Sequence, residues 1–205
     1  MEYLNTVDYI QTTIIQFLRH CFENDEMFTY STNKNLRTLE IKREFPNKLT
    51  TYPIIVITSP TIDSYPRTYG NETYETIREI NPYTGDIGVS CYVSSGITEP
   101  NMTIKCWANT SKERELLTDK VLWYLRKGQR AYLENQGIGI SAMSKTGTNY
   151  ELYGGVKLLY TSDINLSMFM QFVCYEYTNW DELTVNDIYV QPIAYVGNTI
   201  ILNGF

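Results

Sequence analysis

Histidine is almost absent from this chain: His20 is the only one among 205 residues. A serine or cysteine hydrolase would have to use it as its base, yet no nucleophile sits on a glycine-flanked elbow of the G-x-S-x-G kind. His20 itself falls at the end of a helical pattern, where an imidazolium favours the carbonyl end of the helix. Cysteine is equally sparse. Cys21, Cys91, Cys106 and Cys174 lie far apart, each inside an apolar helix or strand pattern, and no C-x-x-C pair occurs. They read as reduced core residues, and no metal or cofactor is expected. No G-K-[ST] is present, and Gly137 and Gly139 lack the third spaced glycine and helix start of a phosphate cradle. No stretch approaches the ~20 apolar residues of a membrane span. The amino terminus also lacks a basic segment followed by an apolar run, so the chain is expected to be mature and intracellular. Positive charge is in deficit. Seventeen Lys and Arg against twenty-three Asp and Glu leave a formal charge of −6, which disfavours tight phosphate binding by the surface as a whole. Trp107 and the tyrosines are not interleaved with a basic patch, which favours core or protein contact over base stacking.

What the chain does contain is a well-specified strand and helix between Asn101 and Gly128. Met102, Ile104, Cys106 and Ala108 alternate with Thr103, Lys105, Trp107 and Asn109, the period of a strand with one face towards a core. Thr110 stands three residues before Glu113, so its hydroxyl can accept from the amide of Glu113 while that carboxylate returns to the cap amide. Leu117, Val121, Tyr124 and Leu125 then recur at helical spacing, with Lys112, Arg114, Glu115, Asp119 and Arg126 assigned to the solvent side. Arg126 and Lys127 suit the negative helix end, and Gly128 is expected to supply a left-handed turn after it.

Asn5 to Phe22 forms a first helix, capped by Asn5, with Val7, Ile10, Ile14, Phe17, Leu18 and Cys21 on one stripe. Its other face, with Gln11, Thr12, Thr13, Ile15 and Gln16, carries almost no charge. It is expected to be covered by another part of the chain or another copy, or to be a weakly polar solvent face. Glu23 to Glu26 reads as a solvated acidic turn without the spaced ligands and glycine of a calcium loop. Thr38 to Phe45 alternates as a strand, and Ile54 to Ile57 is a continuous β-branched run, the mark of a strand buried on both faces. The excursion from Ser59 to Gly85 holds Tyr65, Tyr69, Tyr74 and Tyr83, which with Ile15 are the candidate subunit or partner contacts. Asp86 to Ser94 alternates again, and Gly96 to Pro100 is expected to turn it into a hairpin with the next strand. Glycines between 129 and 160 mark an inserted hairpin or arm, Asp163 to Tyr177 is a long central strand, and Asp187 to Leu202 a last hairpin turned near Gly197 and Asn198.

The pattern predicts one α+β domain over 1–205, a mostly antiparallel sheet with two amphipathic helices packed on it. Insertions near 60–85 and 129–160 and an extension from about 180 complete it. The sharpest catalytic candidate is the E-x-K of Glu40 and Lys42, because metal nucleases place a carboxylate and a lysine so on a strand. Its second acidic ligand would be Asp25, which has no strand to fix it, and alternating charge on a solvent face is the favoured reading. No catalytic residue is assigned.

The order of elements resembles the tail terminator and tail-completion proteins of long-tailed bacteriophages. The segments that carry the resemblance are YPIIVITSP (52–60), Asp86 to Ser94, MTIKCWANTSKERELLTDKVLWYLR (102–126) and INLSMFMQFVCYEY (164–177). The family's strand-to-helix junction often reads Ala-x-(Ser/Thr)-x-x-Glu-Arg, and Ala108, Asn109, Thr110, Glu113 and Arg114 stand there. The excursions and the tail beyond 180 depart from the compact family form. The resemblance implies a structural virion protein, not an enzyme, assembled in the host cytoplasm as a ring of its own copies, usually a hexamer. Such a ring caps the tail tube, contacts tube, sheath and neck proteins, and passes DNA transiently through its lumen. Related neck and head-completion connectors share the architecture and form the alternative.

Overall fold

The computed structural model describes residues 6–43, 53–62, 75–80, 85, 87–128, 132–146, 149–153, 157–178, 185–196 and 199–202. Its axis is one long strand, β9, Lys157–Thr178. Along one edge of it run β5, Ile87–Thr98, and β6, Pro100–Ala108, both antiparallel. Cys91 faces Tyr177 and Thr98 faces Met170; Asn101 faces Ser167 and Ala108 faces Tyr160. The two ladders keep a single register, so β5 and β6 act as one strand broken at Glu99, where Pro100 has no amide to donate. The hairpin expected at Gly96 to Pro100 is therefore not formed. A tight turn would have paired β5 with β6, whereas both pair with β9.

The opposite edge of β9 takes β8, Asn149–Tyr153, then β7, Ile138–Lys145, then β10, Val185–Val196. The β7 ladder shifts register between Ile140 and Ala142, a bulge that bends the strand. Outward from β6 lie β2, Ile54–Ile57, and β1, Glu40–Lys42. Short β3, Thr61–Ile62, also pairs with β6, β4, Glu75–Ile80, pairs with β5, and β11, Thr199–Leu202, pairs with β10. Only the β1–β2 pair is parallel among the described residues, so the fold is α+β with a mostly antiparallel sheet, as expected. The final hairpin also forms, Val196 facing Thr199 across a turn whose own residues lie outside those described. Within 129–160, β8 and the start of β9 pair as a hairpin, Tyr153 facing Lys157, β7 is also a member of the sheet, and Ile138 and Ile140 are buried core residues.

Two helices, α1, Thr6–Phe22, and α2, Ser111–Gly128, share the core on one face of this sheet. Period-two alternation decides what they meet. Met102, Ile104 and Cys106 of β6 and Ile164, Leu166, Met168 and Met170 of β9 all enter the helix-side core. The strand β2 is apolar throughout because both of its faces are covered. Ile55 and Ile57 join the helix-side core, while Ile54 and Val56 pack with Trp107 and Leu159 on the far side. Each such side chain contributes about 1.5–3 kcal/mol by leaving water. Beyond Trp107 the far face turns polar: Thr103 Oγ1 donates to Asn165 Oδ1 at 2.9 Å and Ser167 Oγ to Asn101 Oδ1 at 2.9 Å.

The charge-poor face of α1 is covered in part by its own chain: Gln11, Thr13 and Ile15 are buried, Thr12 is half-buried and Gln16 is exposed. Ile15 is 4% exposed and belongs to the core, Thr13 is buried with its hydroxyl on the Tyr9 carbonyl, and Gln11 Nε2 donates to the Ile57 carbonyl at 2.8 Å. The absence of charge at Gln11, Thr13 and Ile15 thus reflects burial within the subunit. The two helices meet where Gly128 approaches Phe17, and a Cβ at Gly128 would fall inside that ring. Gly128 is the last helical residue, and the glycines with positive φ among the described residues are Gly85 and Gly137. Its smallness serves close packing, not the left-handed turn expected of it.

Candidate functional site

In the E-x-K pair, expected as alternating charge on a solvent face, the fold buries Glu40 and leaves Lys42 half-buried. Glu40 is 8% exposed, with Lys42 Nζ 2.7 Å and Arg37 Nη1 3.2 Å from its carboxylate oxygens. Tertiary packing explains the change, because β1 pairs with β2 and Arg37, from the loop before β1, folds back onto Glu40. The Tyr30 ring has the Arg19 guanidinium 5.2 Å and that of Arg37 5.7 Å from its centroid. Arg19 Nη2 also donates to the Ile41 carbonyl at 3.0 Å. Glu40 neutralises a cationic cluster, an arrangement that leaves both carboxylate oxygens engaged. Among the described residues no three His, Cys, Asp or Glu side chains converge as a metal ligand set.

The acidic turn is exposed at Glu23, Asn24 and Glu26, as expected, and departs from expectation at Asp25 alone. Asp25 is buried, not solvated, and it fastens the end of α1 to α2. Its Oδ1 accepts from the amides of Met27 and Phe28, each at 2.9 Å, which closes the turn locally. Lys120 Nζ donates to both carboxylate oxygens at 2.6 Å, and the Tyr124 hydroxyl donates to Oδ2 at 2.9 Å. Burial alone would raise the pKa of Asp25. The Lys120 ammonium, the two amides and Tyr124 outweigh it and hold the carboxyl below its ordinary value. Tyr124 responds in the other sense: burial and its bond to the carboxylate push its hydroxyl up to about 12.

At the start of α2 the capping box forms with one displacement. The Glu113 amide donates to Thr110 Oγ1 at 3.1 Å, while the Glu113 carboxylate accepts from the amide of Asn109, one residue before the cap, at 3.2 Å. Arg114, assigned to the solvent side, is 2% exposed. Its guanidinium reaches the Thr161 carbonyl at 3.4 Å, Ser111 Oγ at 3.3 Å and Glu115 Oε1 at 2.9 Å. It bonds the helix to β9, where an exposed position would have left it in water. Cys106 beneath α2 is fully buried, and burial pushes its thiol up to about 12, the behaviour of a core cysteine and not of a nucleophile. His20 stands in the last turn of α1, its Nδ1 3.5 Å from Glu23 Oε2 on the surface.

Of the candidate contact residues, Ile15 is spent in the core and is unavailable to a neighbouring copy; Tyr65, Tyr69, Tyr74 and Tyr83 lie outside the described residues. Two surface features emerge in their place. On the far sheet face a depression of about 270 Å³ is lined by Thr58, Thr103, Asn101, Asn165 and Ser167 together with Met102 and Leu166, with no charged group. Its polar side chains are engaged with one another and with the backbone, Thr58 Oγ1 donating to the Thr103 main-chain carbonyl at 2.8 Å. On α2, Trp123 is 54% exposed, its ring 5.1 Å from that of Tyr124 and 4.6 Å from the Lys127 ammonium. Helical spacing holds the signal for it, since Trp123 falls off the Leu117, Val121, Leu125 stripe. No family model matches the chain, and no curated protein matches it in sequence.

Proposed function

We propose that this chain is a structural virion protein that forms a ring, usually a hexamer, ending the tail tube of a long-tailed bacteriophage and joining it to the neck. One observation supports this reading above others. The four segments that carry the resemblance are scattered over the sequence, yet their described residues fall on elements that touch: 52–60 contains β2, 87–94 lies in β5, 102–126 spans β6 and α2, and 164–177 lies in β9. In the sheet β2 pairs with β6, β6 and β5 pair with β9, and α2 packs on their inner face. The segments that carry the resemblance thus lie on adjoining elements, as a shared scaffold requires.

A ring needs repeated interfaces and a lumen over which DNA slides, and the charge of −6 suits passage without adhesion. Among the described residues no helix is long and apolar enough to cross a membrane. The test is location. Cryo-electron microscopy of the particles, with crosslinking mass spectrometry, is expected to place the chain as a closed ring at the head-proximal end of the tail. Its absence from particles would sink the reading. Magnesium-dependent cleavage of duplex DNA by the purified chain, lost in Glu40→Ala, would replace it with the nuclease.

A further inference from the structure

We infer that the far face of the sheet holds a binding site for a neutral carbohydrate, built from the ring of Phe169 and the amide and hydroxyl groups beside it on β6 and β9. The site stands apart from the ring reading and does not rest on it. Phe169 of β9 and Gly139 of β7 are cross-strand partners. A Cβ at Gly139 would meet Cζ, Cε1 and Cε2 of Phe169 almost equally, so the outer half of the ring lies face-on against the glycine. Phe169 is nevertheless 43% exposed, which turns its other face to solvent. A side chain at 139 would lift the ring off the sheet. With glycine there the ring is a flat apolar platform whose electron-rich face attracts C–H groups, the surface on which one side of a sugar ring stacks.

Polar groups continue from the platform along the same face. Ser167 and Asn165 follow Phe169 at two-residue steps on β9, which sets Asn165 about 13 Å along the strand from Phe169, the span of a short oligosaccharide. The depression of about 270 Å³ lies at that end. It opens at an irregularity in the ladder: Ile57 faces Ile104 and Thr61 faces Asn101, so residues 58–60 stand opposite only Met102 and Thr103. The Thr58 side chain closes the gap, its Oγ1 accepting from the Thr103 amide at 3.2 Å. Thr103 and Ser167 spend their hydroxyl protons on the Oδ1 atoms of Asn165 and Asn101 and keep lone pairs to accept with. Asn165 is exposed, and with its oxygen so engaged its Nδ2 has no partner among the described residues.

The lining selects the ligand class. No charged side chain borders the depression, and Lys105 and Asp163, next along that face, stand opposite each other across the ladder at 3.9 Å. A phosphate or carboxylate would find no cation in the lining, and an ammonium no carboxylate. A wholly apolar ligand would strip water from the Asn165 amide and return no hydrogen bond. A neutral polyhydroxylated ring meets both halves of the site: its C–H side covers Phe169, and its hydroxyls accept from Asn165 and donate to the lone pairs of Thr103 and Ser167. A nucleobase has the same flat face, but its phosphates would pass a site without cations on a chain of charge −6.

The experiment is saturation-transfer NMR on the purified chain with maltotriose, cellotriose and tri-N-acetylchitotriose as probes, each at about millimolar concentration, the affinity range an open face of this kind supports. At least one trisaccharide is expected to receive saturation, strongest on its ring C–H protons. Phe169→Leu keeps apolar bulk and removes the aromatic face, and Asn165→Ala removes the free amide; each should weaken binding by roughly tenfold with unchanged thermal melting. Trp123→Ala, an exposed aromatic on the helix side of the sheet, should leave binding unchanged. Should Phe169→Leu lower the melting temperature, Asn165→Ala decides alone. No transfer to any of the three sugars, equal transfer in wild type and variants, or transfer to a single-stranded oligonucleotide in preference to the sugars overturns the inference. None of these outcomes bears on the ring reading, which is decided by the location of the chain in particles.

Discussion

Lys120 holds both carboxylate oxygens of Asp25 at 2.6 Å across ninety-five positions of sequence, and this single contact joins the end of the first helix to the middle of the second. Asp25 is the acceptor for a whole turn, since the Met27 and Phe28 amides and the Tyr124 hydroxyl converge on it as well. Asp25→Asn should cost about 2–3 kcal/mol, because a buried charge pair is broken while Lys120 can turn partly to water. Urea unfolding at neutral pH measures the loss.

The same residue gives a pH dependence of definite sign. Its folded pKa lies below that of the unfolded chain, so its stabilisation is fully present above the unfolded value of about 4 and is lost as pH falls through the folded value. The wild-type chain should lose stability in that acid window, and Asp25→Asn should show a shallower slope there. Equal slopes in unfolding titrations of the two proteins would remove Asp25 as the cause.

Gly128→Ala sets two effects against each other. Helix propensity alone favours alanine by about 1 kcal/mol, but the added methyl enters the space of the Phe17 ring and overpacking costs about 1–3 kcal/mol. Net destabilisation is expected, with partial recovery in the double variant with Phe17→Leu. A thermodynamic cycle of the four proteins checks it, and additive single effects would show that the contact is not shared.

Val121 is fully buried, and Asp119 on the same helix is exposed and bonded to Lys145 at 2.9 Å. Val121→Asp should abolish folding or cost more than ~4 kcal/mol through an unpaired buried charge, whereas Asp119→Ala should cost less than ~1 kcal/mol. Circular dichroism and thermal melting separate them.

Cys106 should resist alkylation in the folded chain at pH 8, because burial both shields the sulfur and keeps it a thiol up to about 12. Labelling mapped by mass spectrometry should reach it only on unfolding. Rapid native labelling would show that the sheet under α2 opens.

Local order was legible in the sequence wherever one periodicity had a single interpretation. The unbroken Ile54 to Ile57 run marked a strand covered on both faces, Thr110 and Glu113 marked a helix start, and the long alternation around Ile164 to Cys174 marked the strand on which the sheet is built. These signals concern neighbours one to four residues apart, and short-range geometry is enough to interpret them. What only the tertiary structure decided is the fate of groups whose partners are remote. Asp25 and Arg114 carry charge in polar-looking stretches, and nothing adjacent reveals that Lys120 and the Thr161 carbonyl would receive them. The uncharged face of α1 was visible, but whether its cover was the same chain or another copy depended on where β2 would lie. Gly128 looked like a helix terminator until the position of Phe17 was known, and Gly96 to Pro100 looked like a turn until β9 offered one continuous edge to both flanking strands. In each case the local preference is worth about 1 kcal/mol, and burial or pairing against a distant element outweighs it.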